Sequence, residues 1–321
     1  MFVDQGNGQK VIGTNSTVTI HTITVRREIA YPIATEFLLL DPTPTADSMN
    51  PVTSNGVKNA LDGKMSLTVI NAQMPSSAYW YSITYGNGKF VAIAENSNQT
   101  AYSEDGINWT ASTMPSSNKW QSITYGNGKF VAVVYSSDQA AYSEDGINWT
   151  TSTISSSAAW QSLTYGNGKF VAVAENSNKS AYSEDGINWT SSTMPTSTKW
   201  QSITYGNGKF VAVACNPNQA AYSEDGINWT ASTMPQLPNP AEWRSVTYGN
   251  GKFVAVALDS DQAAYSEDGI NWTASTMPSY AKWIPLTYGN GKFVAIIWGS
   301  TQAAYSEDGI NWTTSTMPSS D

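Results

Sequence analysis

From Ala78 onward, apolar and β-branched residues come in short runs broken by Gly, Asn, Asp and Pro, and no stretch shows the spacing of an amphipathic helix. In the first unit, Trp80 to Tyr85 is closed by Gly86-Asn87-Gly88, and Lys89 to Ala94 follows, rich in β-branched and aromatic residues. Asn-Gly between two such runs signals a hairpin. A third run around Ala101 to Ser103 meets a fourth, Ile107 to Thr113, through Glu104-Asp105-Gly106, where Asp-Gly supplies the positive φ of a tight turn. Met114-Pro115 ends the fourth run, because proline cannot continue a hydrogen-bonded ladder.

This four-strand unit recurs. Each copy repeats Thr84 to Ala92 (TYGNGKFVA) and Ala101 to Thr110 (AYSEDGINWT), and the opening tryptophans Trp80, Trp120, Trp160, Trp200, Trp243 and Trp283 stand 40, 40, 40, 43 and 40 residues apart. Four strands per unit at this period predict a β-propeller blade. The expected fold is therefore all-β: a six-bladed β-propeller of four-stranded antiparallel blades over residues 66–321. A small β-rich amino-terminal attachment module (1–41) and a linker with a short helix (42–65) precede it.

The segment Ser103-Glu104-Asp105-Gly106-Ile107-Asn108-Trp109 resembles the Asp-box of sialidase-like propellers, in a form one residue shorter. It recurs at Ser143, Ser183, Ser223, Ser266 and Ser306. The resemblance implies a structural role for Ser103, Asp105 and Trp109 and for the equivalent Asp145, Asp185, Asp225, Asp268 and Asp308. Short Ser and Asp side chains satisfy turn N–H groups while the indole packs between blades.

In an up-and-down blade the invariant Tyr-Gly-Asn-Gly-Lys and Ser-Glu-Asp-Gly turns share one face, and the second-to-third loops and blade links share the other. Nearly every difference between copies falls on that second face. Its loops bring in Tyr135, Trp298 and, in the links, Tyr79 and Arg244, side chains typical of binding hot spots. The residue after each opening Trp is expected near the mouth of the central channel. There Tyr81, Gln121, Gln161, Gln201, Arg244 and Ile284 would present amides beside aromatic faces, a composition suited to sugars or polar peptides. The candidate ligand site is thus Tyr79, Tyr81, Gln121, Tyr135, Gln161, Gln201, Arg244 and Trp298.

The net charge of −9 argues against nucleic acid or an anionic membrane as partner. No apolar run is long enough to span a bilayer, and the first thirty residues lack a secretory hydrophobic core. Synthesis in a bacterial cytoplasm without a signal peptide is expected. Cys215, the single cysteine, excludes a disulfide framework. Residues 66–321 hold one arginine, Arg244, and no histidine, which speaks against a sialidase-type centre with its arginine cluster. The repeated Glu-Asp pairs lack the spacing of a metal site. No catalytic residue, metal or cofactor is assigned, and the protein is expected not to be an enzyme.

Residues Pro42 to Val57 (PTPTADSMNPVTSNGV) resemble the junction in bacteriophage tail-fibre and receptor-binding proteins. That resemblance implies a homotrimer docked on a virion or tail-like particle through its amino-terminal module. The implied function is non-catalytic recognition of a cell-surface ligand, a glycan or a protein receptor, by the variable face. A protein-interaction or structural adhesin propeller is the alternative, with a sialidase-like hydrolase behind it. The segment Leu67 to Pro75, ending in Met-Pro like a fourth strand, is expected to lie against the ring junction as an additional strand.

Overall fold

The computed structural model describes residues 2–4, 10–12, 34–36, 71–215, 218–238 and 241–317. Most of the attachment module and the whole 42–65 linker with its short helix lie outside the described residues. So do Asn216-Pro217 in one variable loop and residues 239 and 240 in the expected insertion.

Each repeat folds as an antiparallel meander. In the first, Trp80–Gly86 pairs with Lys89–Ala94, which pairs with Ser97–Ser103, which pairs with Thr110–Asn118. The first turn holds only Asn87 (φ 48°) and Gly88 (φ 74°) between the paired Gly86 and Lys89. Two successive positive φ values make this a type I′ turn, whose twist matches the strands it joins. The Lys89–Ala94 run is apolar because both of its faces are covered: Val91 and Ile93 face repeat two, Phe90 and Ala92 face the side where Met74 packs, and all four are buried.

The first strands of successive repeats lie side by side around an axis. Between them the core is a series of identical junctions. Val91, Ile93 and Met114 of the first repeat pack on Trp120, Ile123, Phe130 and Ala132 of the second, and the same pairing returns between later repeats. Ser82 Oγ accepts the Ile123 N–H at 3.3 Å, and Ser122, Ser162, Ser202 and Ser245 do the same for the repeats that follow them. A side chain at Gly86 would overlap the Tyr125 ring, so glycine there sets how closely two sheets approach.

The propeller has five sheets, not the six separate blades expected. Four sheets have four strands, and repeats two and three share one six-stranded sheet. Two long strands cause the merger, Lys129–Ser143 and Thr150–Gly166. The first runs through the second-to-third loop at Tyr135-Ser136-Ser137-Asp138, a more β-prone segment than Glu95-Asn96-Ser97-Asn98 of repeat one. The second runs through the link to repeat three, where Ala159 pairs with both Tyr135 and Glu175 and stands in place of Lys119, Lys199 and Lys282, at which the other ladders break. Proline does not end the other fourth strands as expected from the sequence: Thr110–Asn118, Thr190–Thr198 and Thr273–Ala281 run past Pro115, Pro195 and Pro278, because an outer edge strand tolerates a residue without an N–H.

Asn71–Gln73, within the segment expected as an additional strand, is a strand and pairs with Ala34–Glu36. Phe2–Asp4 and Lys10–Ile12 form a separate two-stranded sheet.

Candidate functional site

The invariant face is built by the Ser-Glu-Asp-Gly turns. Ser103 Oγ donates to Asp105 Oδ1 at 2.9 Å and accepts the Gly106 N–H at 2.8 Å. Asp105 Oδ1 also takes the Ile107 and Asn108 N–H groups at 2.8 and 2.7 Å, and Oδ2 takes the Asn108 side-chain amide at 2.7 Å. Desolvation raises the Asp105 pKa, but the bonds from Asn108, Ile107 and Ser103 outweigh it and bring it down to about 2. Asp145, Asp185, Asp225, Asp268 and Asp308 are lowered against the same opposition. Asn87 Nδ2 donates to Glu144 O at 3.4 Å, tying a first turn to the third-to-fourth turn of the next repeat and placing both on one face. A depression of about 420 Å³ beside Tyr142, Ser143, Glu144, Asp145, Asn148 and Thr150 lies here. Of its two carboxylates, Asp145 is fully committed to the turn and Glu144 lies 4.0 Å from Lys129 Nζ.

The opposite face carries the chemistry. Backbone bonds from Glu95 N to Tyr79 O (2.8 Å) and from Tyr135 N to Lys119 O (2.9 Å) bring each variable loop beside a blade link, as the topology requires. Along the channel the residues that follow the opening tryptophans touch one another. Gln121 Nε2 donates to Tyr81 Oη at 2.8 Å and to Gln161 Oε1 at 2.6 Å, and Gln161 Nε2 donates to Gln201 Oε1 at 3.1 Å. Gln201 Nε2 reaches Glu175 Oε1 at 3.3 Å, while Glu175 Oε2 accepts the Tyr135 hydroxyl at 3.0 Å.

Glu175 sets the direction of this amide ladder. Both of its oxygens accept, Oε2 from Tyr135 and Oε1 from Gln201, so Gln201 turns its NH2 toward it and each amide upstream follows suit. The ladder ends on Gln121, whose NH2 is fully used. Its Oε1 is a buried acceptor with no partner among the described residues, on a side chain only 2% exposed.

Above the ladder runs a charged rim. Lys119 Nζ lies 3.2 Å from Glu95 Oε1 and 4.2 Å from the centre of the Tyr135 ring. Farther round, Arg244 Nη1 contacts Cys215 Sγ at 3.5 Å and Glu242 Oε2 at 3.9 Å. Desolvation, partly offset by Arg244, pushes the Cys215 thiol up to about 12, so it is an unreactive neutral group. Lys282 lies 4.8 Å from the Trp298 ring centre.

The structure thus brings together Tyr81, Gln121, Gln161, Gln201 and Tyr135. It places Arg244 in a separate cluster with Cys215, and leaves Tyr79 (55% exposed) and Trp298 (36%) on the surface. The channel ring, expected as open donors and acceptors, is instead largely self-satisfied and buried. Glu175, the residue that orients it, was not singled out from sequence. The available signal was an acid at the end of the second strand in repeats one and three, where the other repeats carry Tyr, Cys, Leu or Trp. Among the described residues no three His, Cys, Asp or Glu side chains converge as a metal site would require.

No family model and no curated protein matches the chain. Solved structures do. Virginiamycin B lyase from Staphylococcus aureus superposes with a TM-score of 0.65 at 16% identity, over 74% of this chain and 84% of the lyase. A streptogramin B lyase superposes with a TM-score of 0.67 at 12% identity over 76% and 84%. YCF48 bound to D1 peptide matches with a TM-score of 0.59 at 15% identity over 75% and 82%. At these identities the likeness establishes the propeller fold.

Two expectations are corrected by these findings. These superposed propellers are two lyases and one propeller bound to D1 peptide, not receptor-binding tips, so the reading as a non-catalytic receptor-binding, adhesin or sialidase-like propeller falls. The expectation of no enzyme falls with it, because this architecture carries lyase activity in proteins that superpose over three quarters of the chain. The argument from arginine content had addressed only a sialidase-type centre.

Proposed function

We propose that the protein takes a small amide-bearing molecule at the variable-face opening of its channel. The observation that carries this reading is the unmatched Gln121 Oε1, left over by a ladder whose polarity Glu175 dictates. A buried acceptor without a donor costs about 1–3 kcal/mol, which a ligand N–H would recover. Glu95, Lys119 and Glu175 supply charge at the rim, and Tyr79 and Trp298 supply aromatic surface beside it. Solved propellers of this fold hold quinupristin in one case and D1 peptide in another. The Ser-Glu-Asp-Gly turns act in this reading as Asp-box-like clasps that hold the scaffold rigid.

Titration calorimetry against a panel of short linear and cyclic peptides tests it. Gln121→Leu and Glu175→Gln are each expected to weaken binding at least about tenfold, equivalent to about 1.4 kcal/mol, while Asp145→Asn on the far face leaves affinity unchanged. Binding insensitive to both channel substitutions overturns the reading.

A second reading, catalysis on the bound molecule, is favoured by Glu175, a carboxylate held between the Tyr135 hydroxyl and the Gln201 amide. In the lyase structure with quinupristin a histidine-to-alanine change gives a catalytically inactive enzyme. The described residues of this chain contain no histidine, so proton transfer here would fall to Glu175. Chromatography with tandem mass spectrometry of bound peptide after prolonged incubation distinguishes the readings: a product of new mass, or of the same mass with a new retention time and fragmentation, lost in Glu175→Gln marks an enzyme, and an unchanged ligand marks a binder.

A further inference from the structure

The five junctions between consecutive repeats leave one donor face and one acceptor face at the ends of the chain of sheets. The donor face belongs to repeat six. Val294, Ile296 and Met317 are only partly buried there, whereas Val91, Val131, Val171, Val211 and Val254 at the Val294 position are fully buried, as are Ile93, Val133, Val173, Val213 and Val256 at the Ile296 position. Repeat six also departs from the junction code: Pro285 replaces the serine whose Oγ accepts an N–H from the next repeat, and Ile297 is bulkier than the Ala or Val at its place in the other copies. Gly289 is partly exposed where Gly86, Gly126, Gly166, Gly206 and Gly249 are buried under the next tyrosine. The last repeat is not built to receive a standard first repeat.

The acceptor face of repeat one already has an occupant, and that occupant mimics a fourth strand. Gln73 forms a parallel bridge with Asn108, in the register of the Thr153–Asn188, Thr193–Asn228 and Thr233–Asn271 bridges between consecutive repeats. Met74 packs with Trp80, Ile83 and Phe90, as Met114 packs with Trp120, Ile123 and Phe130. Trp80 Nε1 donates to Ser76 O at 3.2 Å, as Trp120 Nε1 donates to Ser116 O. Beside Asn71–Gln73 lies Ala34–Glu36, antiparallel, with Ala34 opposite Gln73 just as Gln99 lies opposite Thr113. The amino-terminal chain therefore presents the outer two strands of a blade at the acceptor face of repeat one.

We propose that the chain's own amino-terminal segment, residues 17–36 together with Asn71–Gln73, forms a further sheet between repeats six and one and covers Val294 and Ile296. Ala34 occupies a third-strand position, and in a repeat the inner strands lie within the twenty residues upstream of it. The β-prone stretch Thr17 to Val25 falls there. It lacks the Asn-Gly turn, so this sheet is no copy of the repeat and matches a neighbour that has lost the standard junction residues. Being tethered, it faces the gap at high effective concentration, ahead of a second molecule.

Hydrogen exchange on the full chain, read by mass spectrometry, tests the proposal. Slow exchange is expected across residues 17–36, and Ile296→Glu is expected to accelerate it there by at least about a hundredfold while repeats two to four keep their protection. Fast exchange of residues 17–36 in the unsubstituted chain overturns the proposal without any variant having to fold. It is equally overturned if light scattering shows a dimer or trimer that Ile296→Glu dissociates, since a second copy would then cover the face. Neither outcome bears on Gln121, so failure here is separable from failure of the channel reading.

Discussion

At the scale of single residues, two glycines of one motif do different work. Gly128 needs its positive φ of 75° but faces open space, whereas Gly126 has an ordinary φ and lies under the Tyr165 ring. Gly128→Ala is expected to cost about 1 kcal/mol, from backbone strain alone. Gly126→Ala should cost more, about 2–3 kcal/mol, because the added methyl forces two sheets apart. Denaturant midpoints of the two variants check the order, and a larger loss at Gly128 would sink this account of the junction. Gly128 was legible in the sequence, because Asn-Gly between strands is a local signal. The crowding at Gly126 was not, since the tyrosine it meets stands a full repeat away.

At the scale of elements, the acidic turns make stability depend on pH. Their aspartates have folded pKa values below the ordinary carboxylate value, so between pH about 4 and about 2 the folded chain binds fewer protons than the unfolded chain. Stability from these turns is therefore complete above pH about 4 and is lost as pH falls through that window. Thermal midpoints are expected to stay flat from neutral pH to about 4.5 and to drop steeply below it. The drop should be shallower in an Asp105→Asn, Asp185→Asn double variant.

The merged sheet gives a second prediction at this scale. Trp160 Nε1 has no acceptor among the described residues, whereas Trp120, Trp200 and Trp283 donate to the carbonyl four residues before them. The straight link from Ser155 to Ala159 removes that bend. Ala159→Lys restores the lysine that three other links carry at this place, and is expected to divide the six-stranded sheet while moving the melting midpoint by no more than about 4 °C. Loss of folding would show the long strand to be indispensable. The composition around Ala159 and Tyr135 was visible in the sequence, but not its result, because strand continuity depends on which partners a link residue meets on both sides.

At the scale of the whole molecule, six tandem units and their turn chemistry determined from sequence alone that the fold is a propeller of antiparallel meanders. They also determined that invariant turns share one face and variable loops the other. These are local and periodic properties, readable wherever Asn-Gly and Asp-Gly punctuate β-prone runs, whereas Met-Pro, expected to end the fourth strand, lies inside it. Only the tertiary structure decided how many sheets form, that the channel glutamines bond to one another in a direction set by Glu175, and that the ends of the array do not repeat the internal junction. Each of those depends on contacts between residues about forty or more positions apart. A carboxylate on one repeat orients an amide on the next, and a proline at position 285 matters only because a serine at that place would have held the following sheet.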